Sequence, residues 1–82
     1  MTELLEGPVD VRGADPATPD ALRSEDGWRQ VERVVTRWTV ETDWWRTPVR
    51  REYLRCLLWG GEACEVYRDL ETAGWFWSRR YD

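Results

Sequence analysis

Aromatic rings interleaved with guanidinium groups are the side chains of this sequence most able to do chemistry. All seven Trp, three Tyr and the single Phe fall between Trp28 and Asp82, together with ten of the twelve Arg. Such rings stack on one another, on nucleobases or on Arg, and Trp, Tyr and Arg are enriched at the energetic centres of protein interfaces. The absences narrow the chemistry further. There is no His, hence no imidazole base, no His-ligated zinc and no Ser-His-Asp triad. Two Cys alone cannot close a four-ligand zinc site. Of the carboxylates, Asp43 and Asp69 stand where turns favour Asp, and Asp82 has no supporting motif. The chain reads as no enzyme, with no catalytic residues, no metal site and no cofactor.

The elements that must position the rings follow from charge and composition. Eighty-two residues allow one small domain. Residues 1–27 hold three of the four prolines and no aromatic, and seven acids against two Arg give them −5. Residues 28–82 carry nine acids and ten Arg, a balance of +1, so the overall −4 belongs to the front segment. The longest wholly apolar run is Cys56-Leu57-Leu58-Trp59, too short for a membrane span or a signal-peptide core, and the expected location is cytoplasmic. Residues 1–6 read as a flexible terminus and 7–82 as a single β domain, its aromatic-rich part 28–82. Lys, Ile and Asn are absent, a bias that fits a GC-rich bacterial genome.

Gly7 to Arg12 alternates as a short edge strand would, with Pro8 tolerated at its start, and Gly13 to Asp20 reads as loop. Asp26-Gly27 signals a turn. Residues 28–38 carry two competing signals. Trp28, Val31, Val34, Val35 and Trp38 fall at helical spacing, whereas Val31, Val34, Val35 and Thr36 are β-branched and favour a strand. The reading adopted is a strand with a bulge near Arg33-Val34. Residues 50–59, 62–69 and 75–81 form three strands of an antiparallel meander, joined by Gly60-Gly61 and by Leu70 to Gly74. The fold class is therefore all-β, a small bent antiparallel sheet or partly open barrel with a C-terminal meander.

Side chains choose the register of the first meander hairpin. A two-residue loop at Gly60-Gly61 would oppose Cys56 to Glu65 and mix charge with apolar groups on each face. A three-residue loop, Trp59-Gly60-Gly61, in a type I turn with Gly61 left-handed, pairs Tyr53 with Tyr67, Leu54 with Val66, Arg55 with Glu65 and Cys56 with Cys64. Favourable cross-strand pairs add ~0.2–1 kcal/mol each, and a one-residue slip would move every side chain to the other face. The three-residue loop wins. It puts Leu54, Cys56, Leu58, Cys64, Val66 and Phe76 on a core face. It puts Tyr53, Leu57, Trp59, Tyr67, Trp75, Trp77 and Tyr81 on the opposite face, with Arg55, Glu65 and Arg79. Cys56 and Cys64 are expected as opposed free thiols. The candidate partner-binding residues are Trp44, Trp45, Tyr53, Arg55, Trp59, Tyr67, Trp75, Trp77, Arg79 and Tyr81. Their leading use is docking of a protein partner. The alternative is stacking of single-stranded nucleic acid, which the net negative charge and the lack of Lys disfavour.

Trp38-x-x-Glu41-x-Asp43-Trp44-Trp45-Arg46, Arg51-Glu52-Tyr53, Val66-Tyr67-Arg68-Asp69-Leu70, Gly74-Trp75-Phe76 and Tyr81-Asp82 occur in this order. Through them the chain resembles the bacterial domain family DUF6504 and is similar to the C-terminal module of ImuB, the inactive Y-family polymerase homologues of the bacterial mutasome. The resemblance covers residues 28–82 and, more weakly, Pro8 to Arg12. It implies a non-catalytic module linked to translesion synthesis or DNA repair through contact with a mutagenic-repair or replication protein.

Overall fold

The turn after Leu58 sets the register around it. In the computed structural model, which describes residues 2–4, 7–24, 27–42 and 49–81 (side chains for 7–24, 27–42 and 49–79), β5 (Val49–Leu58) and β6 (Ala63–Asp69) run antiparallel. Tyr53 faces Tyr67, Leu54 faces Val66, Arg55 faces Glu65 and Cys56 faces Cys64, the register that a three-residue loop predicts. The Leu58 amide donates to the Glu62 carbonyl (2.7 Å) and the Gly61 amide to the Leu58 carbonyl (3.1 Å). The turn itself is not type I. Gly60 has φ +106° as well as Gly61 +91°, and a positive φ at the third turn residue is the mark of a type II turn. Glycine at Gly60 makes that conformation available without a Cβ clash.

Residues 28–38 are strand, within the sixteen-residue β4 (Gly27–Thr42). Their helix-like spacing has a physical origin. The register with β5 shifts between Val31 and Arg33 and again between Val34 and Thr36, so each bulge inserts a residue. Val31 and Val34 consequently both pack against the core although three residues apart. Bulges give a strand the spacing of a helix.

β1 (Thr2–Leu4), β2 (Val11–Arg12), β3 (Ala21–Ser24) and β7 (Trp75–Tyr81) complete one sheet of order β1-β7-β6-β5-β4-β3-β2. All neighbours are antiparallel. Thr2–Leu4, read from the sequence as a loose terminus, pairs with Tyr81, Arg80 and Arg79. The sheet is bent but not closed into a barrel. Residues 7–12 cross the gap: Val9 donates to the Trp75 carbonyl (3.0 Å), Trp77 to Gly7 (2.9 Å), and then Arg23 to Asp10 (2.9 Å). This stretch bonds first one end of the sheet and then the other, without a ladder running along both.

The core lies inside the bend. Val9, Leu22, Leu54, Cys56, Leu58, Cys64, Val66 and Trp75 form it, with Val11, Val31, Val34 and Trp77 against its margin. Here the structure corrects the expected faces in β7. Arg68 faces Trp75, Tyr67 faces Phe76 and Val66 faces Trp77. Trp75 and Trp77 therefore point to the core side, and Phe76 to the outer face. A register shift between Glu65 and Val66 leaves Ser78 as an extra residue, which returns Arg79, opposite Glu65, to the outer side. The β6–β7 turn fixes this parity through Ala73, whose amide donates to Asp69 (2.7 Å). Its left-handed residue is Ala73 (φ +63°), not Gly74. Both cysteines are free and buried. A hydrogen bond with Cys64 lowers the pKa of Cys56, against the opposing pull of burial. No helix among the described residues is long and apolar enough to cross a membrane.

Candidate interaction face

The outer face of the sheet carries one aromatic ring from each of four successive strands. Trp38 of β4 stacks on Tyr53 of β5 (centroids 5.4 Å apart, planes within 8°). Tyr53 meets Tyr67 of β6 at 5.2 Å and 41°, and Tyr67 stacks on Phe76 of β7 at 5.2 Å and 21°. Adjacent strands lie ~4.8 Å apart. Rings separated by nearly that spacing form one row across the strands, stacked at Trp38–Tyr53 and Tyr67–Phe76 and tilted at Tyr53–Tyr67.

Arginines surround this ladder. The Arg51 guanidinium lies 4.5 Å from the Tyr67 ring centroid and donates to the Tyr53 hydroxyl at 3.5 Å. That hydrogen bond is the largest of the effects that raise its pKa. Arg55 lies 5.9 Å from the Trp38 ring and 3.7 Å from Glu65. Glu65 is only 5 % exposed, and one of its oxygens accepts a 2.9 Å bond from the Ser78 hydroxyl. Pairing register adds Arg33, opposite Leu57, and Arg79, opposite Glu65. Against these four cations the face sets Glu65 and, opposite Arg51, Asp69. Among the described residues that pairing register places on this face, arginines outnumber carboxylates four to two, on a chain of net −4.

The structure brings together four of the ten expected site residues, Tyr53, Arg55, Tyr67 and Arg79. Trp59 stands apart on the β5–β6 turn, 60 % exposed, with its amide donating to Gln30 and its carbonyl accepting from Arg29. Trp75, 9 % exposed, and Trp77 leave the set because they face the core. Tyr81 is paired with Ala63 and Thr2 through the backbone, its side chain lying outside the described residues. Trp44 and Trp45 lie outside them altogether. The expected partner-binding set lacks Trp38, Phe76, Arg33 and Arg51. Trp38 joins the ladder only once the two β4 bulges are counted, and Phe76 only once the β6–β7 loop length is known.

Among the described residues no group of His, Cys, Asp or Glu could hold a metal ion. Substantial packing between elements is confined to neighbours within the sheet, so no second layer of described elements covers the outer face. Comparison with protein families, curated proteins and solved structures finds no match to this chain.

Proposed function

We propose that the protein is a non-catalytic binding module that docks a protein partner on its outer sheet face. The observation that carries this reading is the ladder Trp38–Tyr53–Tyr67–Phe76, a row of rings beside arginines on a face that no second layer of described elements covers. Aromatic rings pack well against aliphatic side chains, and arginines at the margin suit acidic ones. The partner segment is accordingly apolar with flanking Asp or Glu. Single-stranded nucleic acid is the weaker candidate, because the chain carries net −4 and no Lys, a poor balance for neutralising phosphates. The resemblance to DUF6504 and ImuB modules supplies the setting, a mutagenic-repair or replication assembly.

Calorimetric titration of the purified chain against a mutagenic-repair polymerase tests the reading. Binding that Tyr53→Ala and Arg51→Ala each weaken about tenfold or more supports it, the size expected at interface centres. Tight binding of oligothymidylate instead, falling steeply with salt, would overturn it in favour of nucleic acid.

A further inference from the structure

β4 outruns its neighbour on one side. β3 pairs with it only from Gly27 to Gln30, and the next bond on that side is from the Val31 amide to the Asp20 carbonyl at 2.8 Å. On the other side β5 accompanies it to Thr42. Among the described residues, the backbone of Thr36–Thr42 has no partner along its second edge. Both β4 bulges lie before this stretch, so it is a regular strand. Its sequence, Thr-Arg-Trp-Thr-Val-Glu-Thr, holds neither Pro nor Lys, residues that commonly blunt an open edge. Which groups face that edge follows from β5. The Leu58 amide bonds the Glu62 carbonyl (2.7 Å) and the Arg50 carbonyl accepts from Leu70 (2.9 Å). Even-numbered residues of β5 thus turn their backbone groups to β6, and odd-numbered ones to β4. Thr36, Trp38, Val40 and Thr42, opposite Arg55, Tyr53, Arg51 and Val49, use theirs on β5. Arg37, Thr39 and Glu41, all exposed, direct theirs at the open edge.

We propose that this edge pairs with the same edge of a second copy of the chain, antiparallel about a two-fold axis at Thr39. That register sets Thr39 against Thr39, Arg37 against Glu41 and Glu41 against Arg37, and each such pair exchanges two backbone hydrogen bonds. Between them Trp38 meets Val40 of the second copy. Opposite charges and aromatic–β-branched neighbours are both favourable cross-strand pairs. An axis at Arg37 or at Glu41 would oppose like charges, and one at Trp38 or Val40 would set Thr39 against a charge. Thr39 alone sets Arg37 against Glu41. Each of these side chains already has a partner, Glu52 at 3.2 Å and Arg50 at 3.6 Å, yet remains 36 % and 61 % exposed, open to a further opposite charge. Paired residues share a face, so both outer faces lie on one side of the joined sheet and stay uncovered.

So short a strand pair buries little area, and a dissociation constant of roughly 10–100 µM is expected. Sedimentation equilibrium of the whole chain from ~1 µM to ~1 mM should then show the mass rise from 9.8 kDa towards twice that value. Over the same range the Arg37, Thr39 and Glu41 amides should gain about fivefold or more protection from hydrogen exchange. Trp38 and Val40, already bonded to β5, should change little. In a mixture of labelled and unlabelled chain, Trp38 Hα should contact Val40 Hα between copies, since non-hydrogen-bonded pairs bring Cα atoms to ~4.5 Å. These readings need no variant. Thr39→Pro removes an N–H that β5 does not use and should abolish the dimer. Glu41→Arg, which opposes like charges, should weaken it about tenfold or more. A chain that stays monomeric at ~1 mM overturns the proposal, and uptake of an unrelated extended peptide at Thr39 would then assign the edge to a peptide ligand. A dimer without protection at Arg37, Thr39 and Glu41 overturns it as well. So does one kept in folded Thr39→Pro but lost in Tyr53→Ala, because the outer face would then hold it.

Discussion

The two faces of β5 and β6 are made by alternate residues of the same strands, yet they are built on different physics. Leu54, Cys56, Cys64 and Val66 turn inward and are almost wholly buried. Tyr53, Arg55 and Tyr67 turn outward into a stacked, arginine-flanked row. The inner face needs only volume and apolarity, because burial is non-directional. The outer face is organised well beyond what a solvated sheet surface requires: four strands each contribute one ring to one row. That excess of order is what supports the proposal that the outer face is where a partner docks.

The sharpest way to break this division lies in β7, where neighbouring aromatics are assigned to opposite faces. Trp75→Ala should cost about 3–5 kcal/mol in urea unfolding, the range for a large core aromatic. Phe76→Ala, on the outer row, should cost no more than about half of that. Equal losses would mean that the two faces are not distinct. A smaller effect is expected at Arg55, which lies beside the buried Glu65 carboxylate. Arg55→Ala should destabilise by about 1–2 kcal/mol through a weakened buried acceptor, and Arg33→Ala, on the same face, by less than ~0.5 kcal/mol. Comparable losses for the two would remove Glu65 from the account.

Coupling within the ladder is smaller again. A double-mutant cycle on Tyr53 and Tyr67, each changed to Ala, should give a coupling of about 0.5–1.5 kcal/mol. A coupling near zero would reduce the row to coincidental neighbours. The smallest effect concerns the turn that fixes which β7 aromatic goes inside. Ala73 is left-handed, a conformation that costs an L-residue ~1–2 kcal/mol. Ala73→Gly should stabilise the fold by up to about 1 kcal/mol, the relief being partly offset by unfolded-chain entropy, as a rise in thermal midpoint.

The sequence made the strands, the β5–β6 pairing and the opposed cysteines legible because one short loop fixes them locally. A charge pair and a tyrosine pair both select the same register. The β7 faces were not legible, because they depend on a longer turn whose left-handed residue is Ala73 while the neighbouring Gly74 attracts the assignment. The same limit applies to β4. Counting two bulges requires knowing where Val31, Val34 and Thr36 meet β5, and that partner lies more than a dozen residues downstream. The candidate site was half legible for this reason. Tyr53, Arg55 and Tyr67 sit on the locally determined hairpin, whereas Trp38 and Phe76 enter through the two strands whose irregularities are set by tertiary pairing.

The central claim, that the outer face docks a protein segment rather than single-stranded nucleic acid, is most directly tested by amide chemical-shift mapping with two probes. One is a peptide of alternating Leu and Glu, the other a single-stranded oligothymidylate. The account predicts that the peptide shifts Trp38, Tyr53, Arg55, Tyr67 and Phe76 together, that Tyr53→Ala abolishes the effect, and that oligothymidylate leaves these positions unmoved at moderate salt. Shifts of the same residues by oligothymidylate, with none from the peptide, would contradict it.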